Sequence, residues 1–198
     1  MKRIGLLGGS FNPAHAGHRH ISIEAMRRLR LDEVWWLVSP QNPLKSSSDM
    51  APLPARLASA RRTARHPRIR ASAIEARLGT RFAIDTVAAL QHRHPDCRFI
   101  WLAGADILPE LHRWHRWRDL LRRLPIAVLA RPRYMGDALR SPAMAWARRW
   151  RRRQGTAADW PGWTLPAIVV LDIRATPVSA TAIRARDPDW PRRMDHRH

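Results

Sequence analysis

Cysteine is almost absent from this sequence. Cys97 stands alone, so no internal disulfide can form, and neither a cysteine-based zinc site nor a CxxC redox pair can be assembled. A lone thiol fits a reducing, cytoplasmic setting. Long apolar runs are missing as well: Arg recurs through most of the chain, and no stretch approaches the roughly 20 residues needed to cross a bilayer. The N-terminal MKRIGLLGGSF is interrupted by Gly8, Gly9 and Ser10 before a secretion-signal core is complete. The expectation is a soluble chain with no membrane association. Lysine is scarce too. Lys2 and Lys45 are the only ones, and every other basic residue of the 36 is arginine, against 16 acidic residues and a net charge of +20. Such a field suits nucleic acid. The skew towards arginine, however, matches the codon usage of a GC-rich genome, and surplus positive charge also attracts small polyanions. Composition is therefore read as bias plus substrate attraction, with no nucleic-acid partner expected.

What the sequence does contain is a recurring alternation. A chain of 198 residues is the size of one compact domain with its own core. Short, partly β-branched apolar runs occur at Ile4–Leu7, Val34–Val38, Phe99–Ala103, Ile126–Ala130 and Ile168–Leu171. Stretches of helical length lie between them: Gly17–Arg30, Leu53–Arg65, Phe82–Arg93 and Trp117–Arg123. Fully apolar strands alternating with helices predict an α/β fold, a Rossmann-like doubly wound parallel sheet with a short C-terminal helical part. Ligands of such sheets bind beyond the carboxyl ends of the strands. The Pro- and Ser-rich segment 40–54 reads as a cover over that edge. The domain is expected to span 1–186, with a basic, Trp-rich insertion of one helix and a loop at about 135–166 and a short tail at 187–198.

Chemistry concentrates where the first strand, Lys2–Leu7, runs into Gly8-Gly9-Ser10 and the next helix opens near Gly17-His18. Glycines let backbone approach a phosphate, and free N–H groups at a helix start carry partial positive charge. His15 and His18, three residues apart, face the same spot and can donate hydrogen bonds to phosphoryl oxygens as charge shifts in an in-line displacement. Taken singly, each has a plain alternative: glycines make turns, and a histidine at a helix start can simply cap it. The joint pattern GGSFNPxHxGH directly after a first strand is far more specific.

That pattern resembles the signature of the nucleotidyltransferase superfamily. The later segments PQNPLK (40–45), IEARLGTRFAIDT (74–86), GADILPELHRWHRW (104–117), VLARP (128–132) and VSATAIR (178–184) are similar, in this order, to those of bacterial nicotinate-nucleotide adenylyltransferases. The resemblance implies transfer of adenylate from ATP to nicotinate mononucleotide, giving deamido-NAD and pyrophosphate. It gives His18 transition-state stabilisation and His15 assistance at the phosphates, and it places Gly8, Gly9, Ser10, Phe11 and Asn12 around the nucleotide. Lys45 becomes a phosphate contact, as do Ser179, Thr181 and the cation Arg184; capping of a short helix by Ser179 or Thr181 is the plainer reading. Gly104 and Asp106 fall in the adenosine subsite, where a carboxylate after a strand can accept from ribose hydroxyls. Asp106 is also placed to N-cap a helix beginning near Ile107.

For the acceptor, an aromatic face stacks well on a cationic pyridinium, and motif position singles out Trp114 from the ten tryptophans. His115 replaces the tyrosine of many relatives. Phe82-Ala83 replaces a Tyr-Thr pair near the groups that receive the nicotinate carboxylate, leaving backbone N–H groups near Ala83 to bind it. Arg131 matches a residue near the mononucleotide phosphate. No carboxylate cage is visible, so no protein metal site is expected and Mg2+ should arrive with ATP. Other acceptors on the same scaffold, nicotinamide mononucleotide or pantetheine phosphate, form the alternative. A class I aminoacyl-tRNA synthetase shares an HxGH motif, but the chain is too short and lacks a KMSKS-like segment.

Overall fold

The computed structural model describes residues 1–40, 50–130, 140–174 and 178–195. Its centre is a sheet of seven strands in the order β3-β2-β1-β4-β5-β7-β6, every pairing parallel. The strands are β1 (Lys2–Gly9), β2 (Glu33–Val38), β3 (Ile69–Ser72), β4 (Cys97–Gly104), β5 (Ile126–Ala130), β6 (Arg151–Arg152) and β7 (Ile168–Asp172). All five apolar runs of the sequence are strands. β1 carries on through Gly8 and Gly9, which the sequence reading had placed after its end. Gly8 and Gly9 pair with Leu37 and Val38, so the turn starts only at Ser10.

Alternation along each strand divides the core into two. Ile4, Leu6, Phe99, Trp101, Ile126, Val128, Ile168 and Val170 pack on one face. Leu7, Val34, Trp36, Ile100, Leu102, Ala127, Leu129, Val169 and Leu171 pack on the other. A strand with period-two burial on both faces must be covered from both sides, which is why its sequence reads as continuously apolar. Helices α4 (Ala83–Arg93), α5 (Leu108–Leu111), α6 (Trp117–Arg123) and α7 (Pro142–Ala147) cover the first face. The second is covered by α1 (Ala16–Leu29), α2 (Leu53–Ala64) and a 3-10 segment, Gln154–Gly162. A short α3 (Ile74–Leu78) follows β3, while α8 (Ala180–Arg186) and α9 (Arg192–Asp195) close the chain.

The basic, Trp-rich segment holds more than one helix and a loop. From residue 140 onward it contains α7, a 3-10 turn at Arg148–Trp150, the edge strand β6 and the 3-10 segment. Trp160 explains its attachment: the indole is buried, and its Nε1–H donates at 2.9 Å to the carbonyl of Leu29. That carbonyl lies in the last turn of α1, where a helix has no partner of its own to offer.

Strand order positions the site. β1 lies between β2 and β4, and the sheet grows from it in opposite directions, so the loops leaving β1 and β4 part company there. An open α/β sheet has its ligand crevice at this point, beyond the carboxyl ends of the strands.

Candidate active site

Loop 10–14, between β1 and α1, is braced from three directions. Arg56 lies under it, only 1% exposed, and donates to four carbonyls: Ser10 at 2.8 Å, Ser39 at 2.6 Å, Pro40 at 2.7 Å and Ala51 at 2.8 Å. One guanidinium thus ties the turn after β1 to the chain leaving β2 and to the approach to α2. Burial pulls its pKa below the ordinary arginine value. Ser59, one helical turn further along α2, accepts from the Ala14 amide at 3.2 Å, and Thr63 reaches the Ala14 carbonyl at 3.5 Å. The spacing 56, 59, 63 puts all three on one stripe of the helix. Ala51 N–H donates to the Asn12 side chain at 3.2 Å. From the far end of the chain, Arg184 donates to the Asn12 carbonyl at 2.6 Å.

This bracing holds Phe11 in the left-handed region with φ of 48°, a conformation costing of order 1–3 kcal/mol for a non-glycine residue unless its surroundings impose it. Its ring is buried and stacks on Trp36 at 5.1 Å between centroids, with the His18 ring at 4.8 Å. Phe11 thereby walls the histidine pair.

The two histidines close the start of α1 on each other. His15 is the N-cap and accepts the Gly17 amide on Nδ1 at 3.1 Å, while His18 accepts the His15 amide on Nδ1 at 3.1 Å. The result is a capping box built from imidazoles instead of the usual hydroxyl and carboxyl. A ring whose Nδ1 accepts an amide must, when neutral, carry its proton on Nε2. Each neutral ring therefore presents an Nε2–H donor away from the helix. Capping and the proposed phosphate role are compatible because they use different nitrogens. The rings lie 3.9 Å apart. Burial first, and then the neighbouring His15, lowers the His18 pKa to about 3, so His18 is an uncharged donor at neutral pH. Behind it the Trp36 Nε1–H donates to Ser22 Oγ at 2.8 Å, and Ser22 donates to the His18 carbonyl at 2.9 Å.

Across the crevice, β4 ends at Gly104 beside this loop; Leu7 of β1 pairs with Leu102. A Cβ on Gly104 would collide with Asp106 Oδ1, and one on Gly8 would lie 2.7 Å from the Trp101 ring. Gly8 is therefore required by close approach to a buried ring, whereas at Gly104 the exposed Asp106 side chain could swing aside. Asp106 is exposed and sits within a 3-10 turn, Ala105–Ile107, whose N-cap is Gly104 with no side-chain cap. The expectation that Asp106 caps a helix near Ile107 is thus not met, because the chain enters a 3-10 turn there and α5 begins one residue later. The carboxylate is left at the crevice mouth.

Trp101 was not singled out from the sequence, yet it links the two sides. Its ring lies against Gly8 and meets Trp114 edge-on at 5.8 Å, and its buried Nε1–H has no hydrogen-bond partner among the described residues. Trp114 is half-buried. Next to it His115 is exposed and stacks on Phe82 at 4.3 Å. Phe82 is the N-cap of α4, which no side chain caps; the amides near Ala83 thus open towards the same edge. At α8, Ser179 accepts the Ala182 amide at 3.2 Å and is the cap, while Thr181 accepts weakly from Arg184 at 3.4 Å.

The structure brings Gly8, Gly9, Ser10, Phe11, Asn12, His15, His18 and Arg184 together at one loop, with Gly104 and Asp106 beside it. It forms a second group from Phe82, Trp114 and His115. Lys45 and Arg131 lie outside the described residues. Arg56 was missed, although an arginine within the apolar stripe of α2 was a signal available in the sequence. Among the described residues no three His, Cys, Asp or Glu side chains come together as a metal site. No helix there is long and apolar enough to cross a membrane.

A family model described as cytidylyltransferase-like matches residues 6–186. A protein of Erythrobacter litoralis named "Probable nicotinate-nucleotide adenylyltransferase" is 56% identical over 191 residues, covering 96% of this chain and 87% of its own length. One of the same name from Cereibacter sphaeroides is 56% identical over 182 residues, 92% and 96% of the two chains. Among solved structures, Plasmodium falciparum nicotinic acid mononucleotide adenylyltransferase complexed with NaAD superposes with a TM-score of 0.66 over 93% of this chain and 83% of its own. At 14% identity that likeness concerns the fold.

Proposed function

The chain belongs to the cytidylyltransferase-like family, and on that premise we propose that it transfers adenylate from ATP to nicotinate mononucleotide, giving deamido-NAD and pyrophosphate. The observation that supports the transfer chemistry is the pair of imidazoles whose Nδ1 atoms are committed to backbone amides, which assigns their ring protons to Nε2, the atoms that in this reading donate to the phosphates. The names of relatives at 56% identity support the acceptor.

In this reading an oxygen of the acceptor's 5′-phosphate attacks the α-phosphorus of ATP. The bond from that phosphorus to the α–β bridging oxygen breaks, and its electron pair leaves with pyrophosphate. No residue becomes covalently attached. His18 and His15 donate to phosphoryl oxygens, and preorganised donors of this kind stabilise charge without having to reorganise. Arg184, already fixed on the Asn12 carbonyl, supplies positive charge, together with Lys45 and the start of α8 at Ser179 and Thr181. Gly8, Gly9 and Ser10 allow close approach of the triphosphate, and Asp106 accepts from the ribose. Mg2+ enters as the metal of the ATP chelate. On the acceptor side Trp114 stacks on the pyridine ring, with Phe82 and His115 beside it. The amides near Ala83 receive the carboxylate, and Arg131 the mononucleotide phosphate.

The test is product formation from ATP and each acceptor separately. Pyrophosphate should appear fastest with nicotinate mononucleotide, accompanied by deamido-NAD, and more slowly with nicotinamide mononucleotide, accompanied by NAD. Turnover with pantetheine phosphate alone would sink the reading.

A further inference from the structure

Two carboxyl groups are buried among the described residues, and they are treated differently. Glu33 meets Lys2, Arg70 and the Trp35 indole. Glu75, at the start of α3 and 7% exposed, meets only hydroxyls among the described residues: Thr86 Oγ1 donates to its Oε1 at 3.2 Å, and Ser39 hydrogen-bonds it from the end of β2. In a chain of net charge +20 a buried carboxyl with no cation among the described residues is a placement that needs a reason. Thr86 is itself fully buried, lies 2.8 Å from Thr80 Oγ1, and is 3.2 Å from the Phe82 carbonyl. The Glu75 carbonyl accepts the Thr80 amide at 3.1 Å. These bonds enclose the turn from Thr80 to Ala83.

We propose that Glu75 is a positioning residue for the acceptor site, acting through the chain Ser39, Glu75, Thr86 and Thr80 to fix the turn 80–83. The inference rests on the reading of Ala83 and its neighbours as the place where the nicotinate carboxylate is received. Thr86 has a single hydroxyl proton and three acceptors within reach: Glu75 Oε1, the Phe82 carbonyl and Thr80 Oγ1. While Glu75 keeps its own proton it can donate, and the Thr86 proton is available to Phe82, the N-cap of α4. Once ionised, Glu75 only accepts. It then draws the Thr86 proton from the Phe82 carbonyl and sets a negative charge behind the turn that must bind an anion.

Burial raises the Glu75 carboxyl and the hydroxyls of Thr86 and Ser39 lower it, leaving it at about 7. Charged side chains of the packed elements do not meet it. Arg77 on α3, Arg81 in the turn and Asp85 on α4 are exposed; His92 and Arg93 stand in the last turn of α4; Glu33 is at the opposite end of β2; Arg70 on β3 is committed to Glu33.

The experiment is steady-state kinetics of the full chain with ATP and nicotinate mononucleotide, comparing wild type, Glu75→Gln, Glu75→Ala and Thr86→Val. Glu75→Ala and Thr86→Val should each raise KM for the mononucleotide about tenfold and leave kcat and the KM for ATP within about twofold, the pattern of lost ground-state positioning. Glu75→Gln, which imitates the neutral acid, should match wild type at about pH 6. Between about pH 6 and pH 8.5 the wild-type KM for the mononucleotide should rise while that of Glu75→Gln stays level, since only the former can ionise. A Gln variant as impaired as the Ala variant, equal effects on the KM for ATP, or an unchanged mononucleotide KM in Thr86→Val would overturn the role of Glu75 while leaving the acceptor reading standing. Absence of any turnover of nicotinate mononucleotide by wild type would overturn the acceptor reading, and with it this one.

Discussion

Two helices begin at the same edge of the sheet and are finished in opposite ways. The start of α1 is closed by its own imidazoles, whereas the start of α4 has no side-chain cap and leaves its amides open. Each has a buried titratable group behind it, pushed towards its uncharged form from opposite directions: His18 is lowered to about 3 and Glu75 raised to about 7. The difference matches what the proposed function asks each end to receive. In that proposal phosphate meets oriented ring N–H donors, and a carboxylate meets backbone amides backed by a carboxyl that is mostly protonated only below about 7.

The same comparison fixes the sign of two stability effects. An ordinary histidine titrates at 6.5, so as pH falls from there towards 3 the unfolded chain takes up a proton at His18 that the folded chain refuses, and stability drops. Glu75 starts from 4.5, so as pH rises from there towards 7 the unfolded chain gives up a proton that the folded chain keeps, and stability again drops. Between 4.5 and 6.5 the two slopes oppose each other.

The contrast can be broken most severely at α1. His18→Ala removes half of the capping box and, in the proposed mechanism, a donor to the reacting phosphates; kcat should fall by about 10²-fold or more, measured as pyrophosphate release at saturating substrates. His18→Asn keeps an N–H donor and should lose less. A kcat unchanged in the Ala variant would remove His18 from the chemistry. Next comes the brace beneath the loop. Arg56→Met leaves four carbonyls without their donor, and at about 1 kcal/mol or more for each group left unsatisfied the unfolding free energy should drop by at least about 4 kcal/mol, read from urea denaturation. A loss under about 1 kcal/mol would mean that water replaces the guanidinium at little cost. The smallest effect is expected at the aromatic end. Trp114→Ala should raise KM for the mononucleotide by about five- to tenfold, corresponding to the roughly 1 kcal/mol of a cation–π stack, with the KM for ATP unchanged. An effect confined to ATP would move Trp114 to the other side of the crevice.

How much of this was legible in the sequence depends on whether the information was local. Five strands announced themselves because strands covered on both faces are apolar at every position. β3, with the sequence IRAS, and β6, with two arginines, did not. Edge strands need only offer backbone to one neighbour, and their side chains carry no signal. His15 and His18 were legible because one turn of chain brings them together. Their tautomer was not, since it depends on which backbone amide each Nδ1 meets. Arg56 and Glu75 act on residues up to 46 and 36 positions away, at Ser10 and Ser39, and no local pattern reports such partners. The Asp106 cap failed for a related reason. Whether a strand leads into an α-helix or a 3-10 turn is decided by what packs beneath it, here Ala105 and Leu108 in the core.

The two inconspicuous edge strands also bear on how this molecule meets others of its kind. A parallel sheet with five apolar strands would be a template for adding further strands if either border were long and plain. Here one border is four residues long and points Arg70 outward, and the other is two residues long and consists of Arg151 and Arg152. A second copy docking at the two-residue border would bring the guanidiniums of Arg151 and Arg152 against their counterparts in a chain already at +20, whereas at the four-residue border Arg70 is paired with Glu33 and shortness alone limits what can be added. The borders of the sheet are thus its poorest templates, one by length and the other by length and charge.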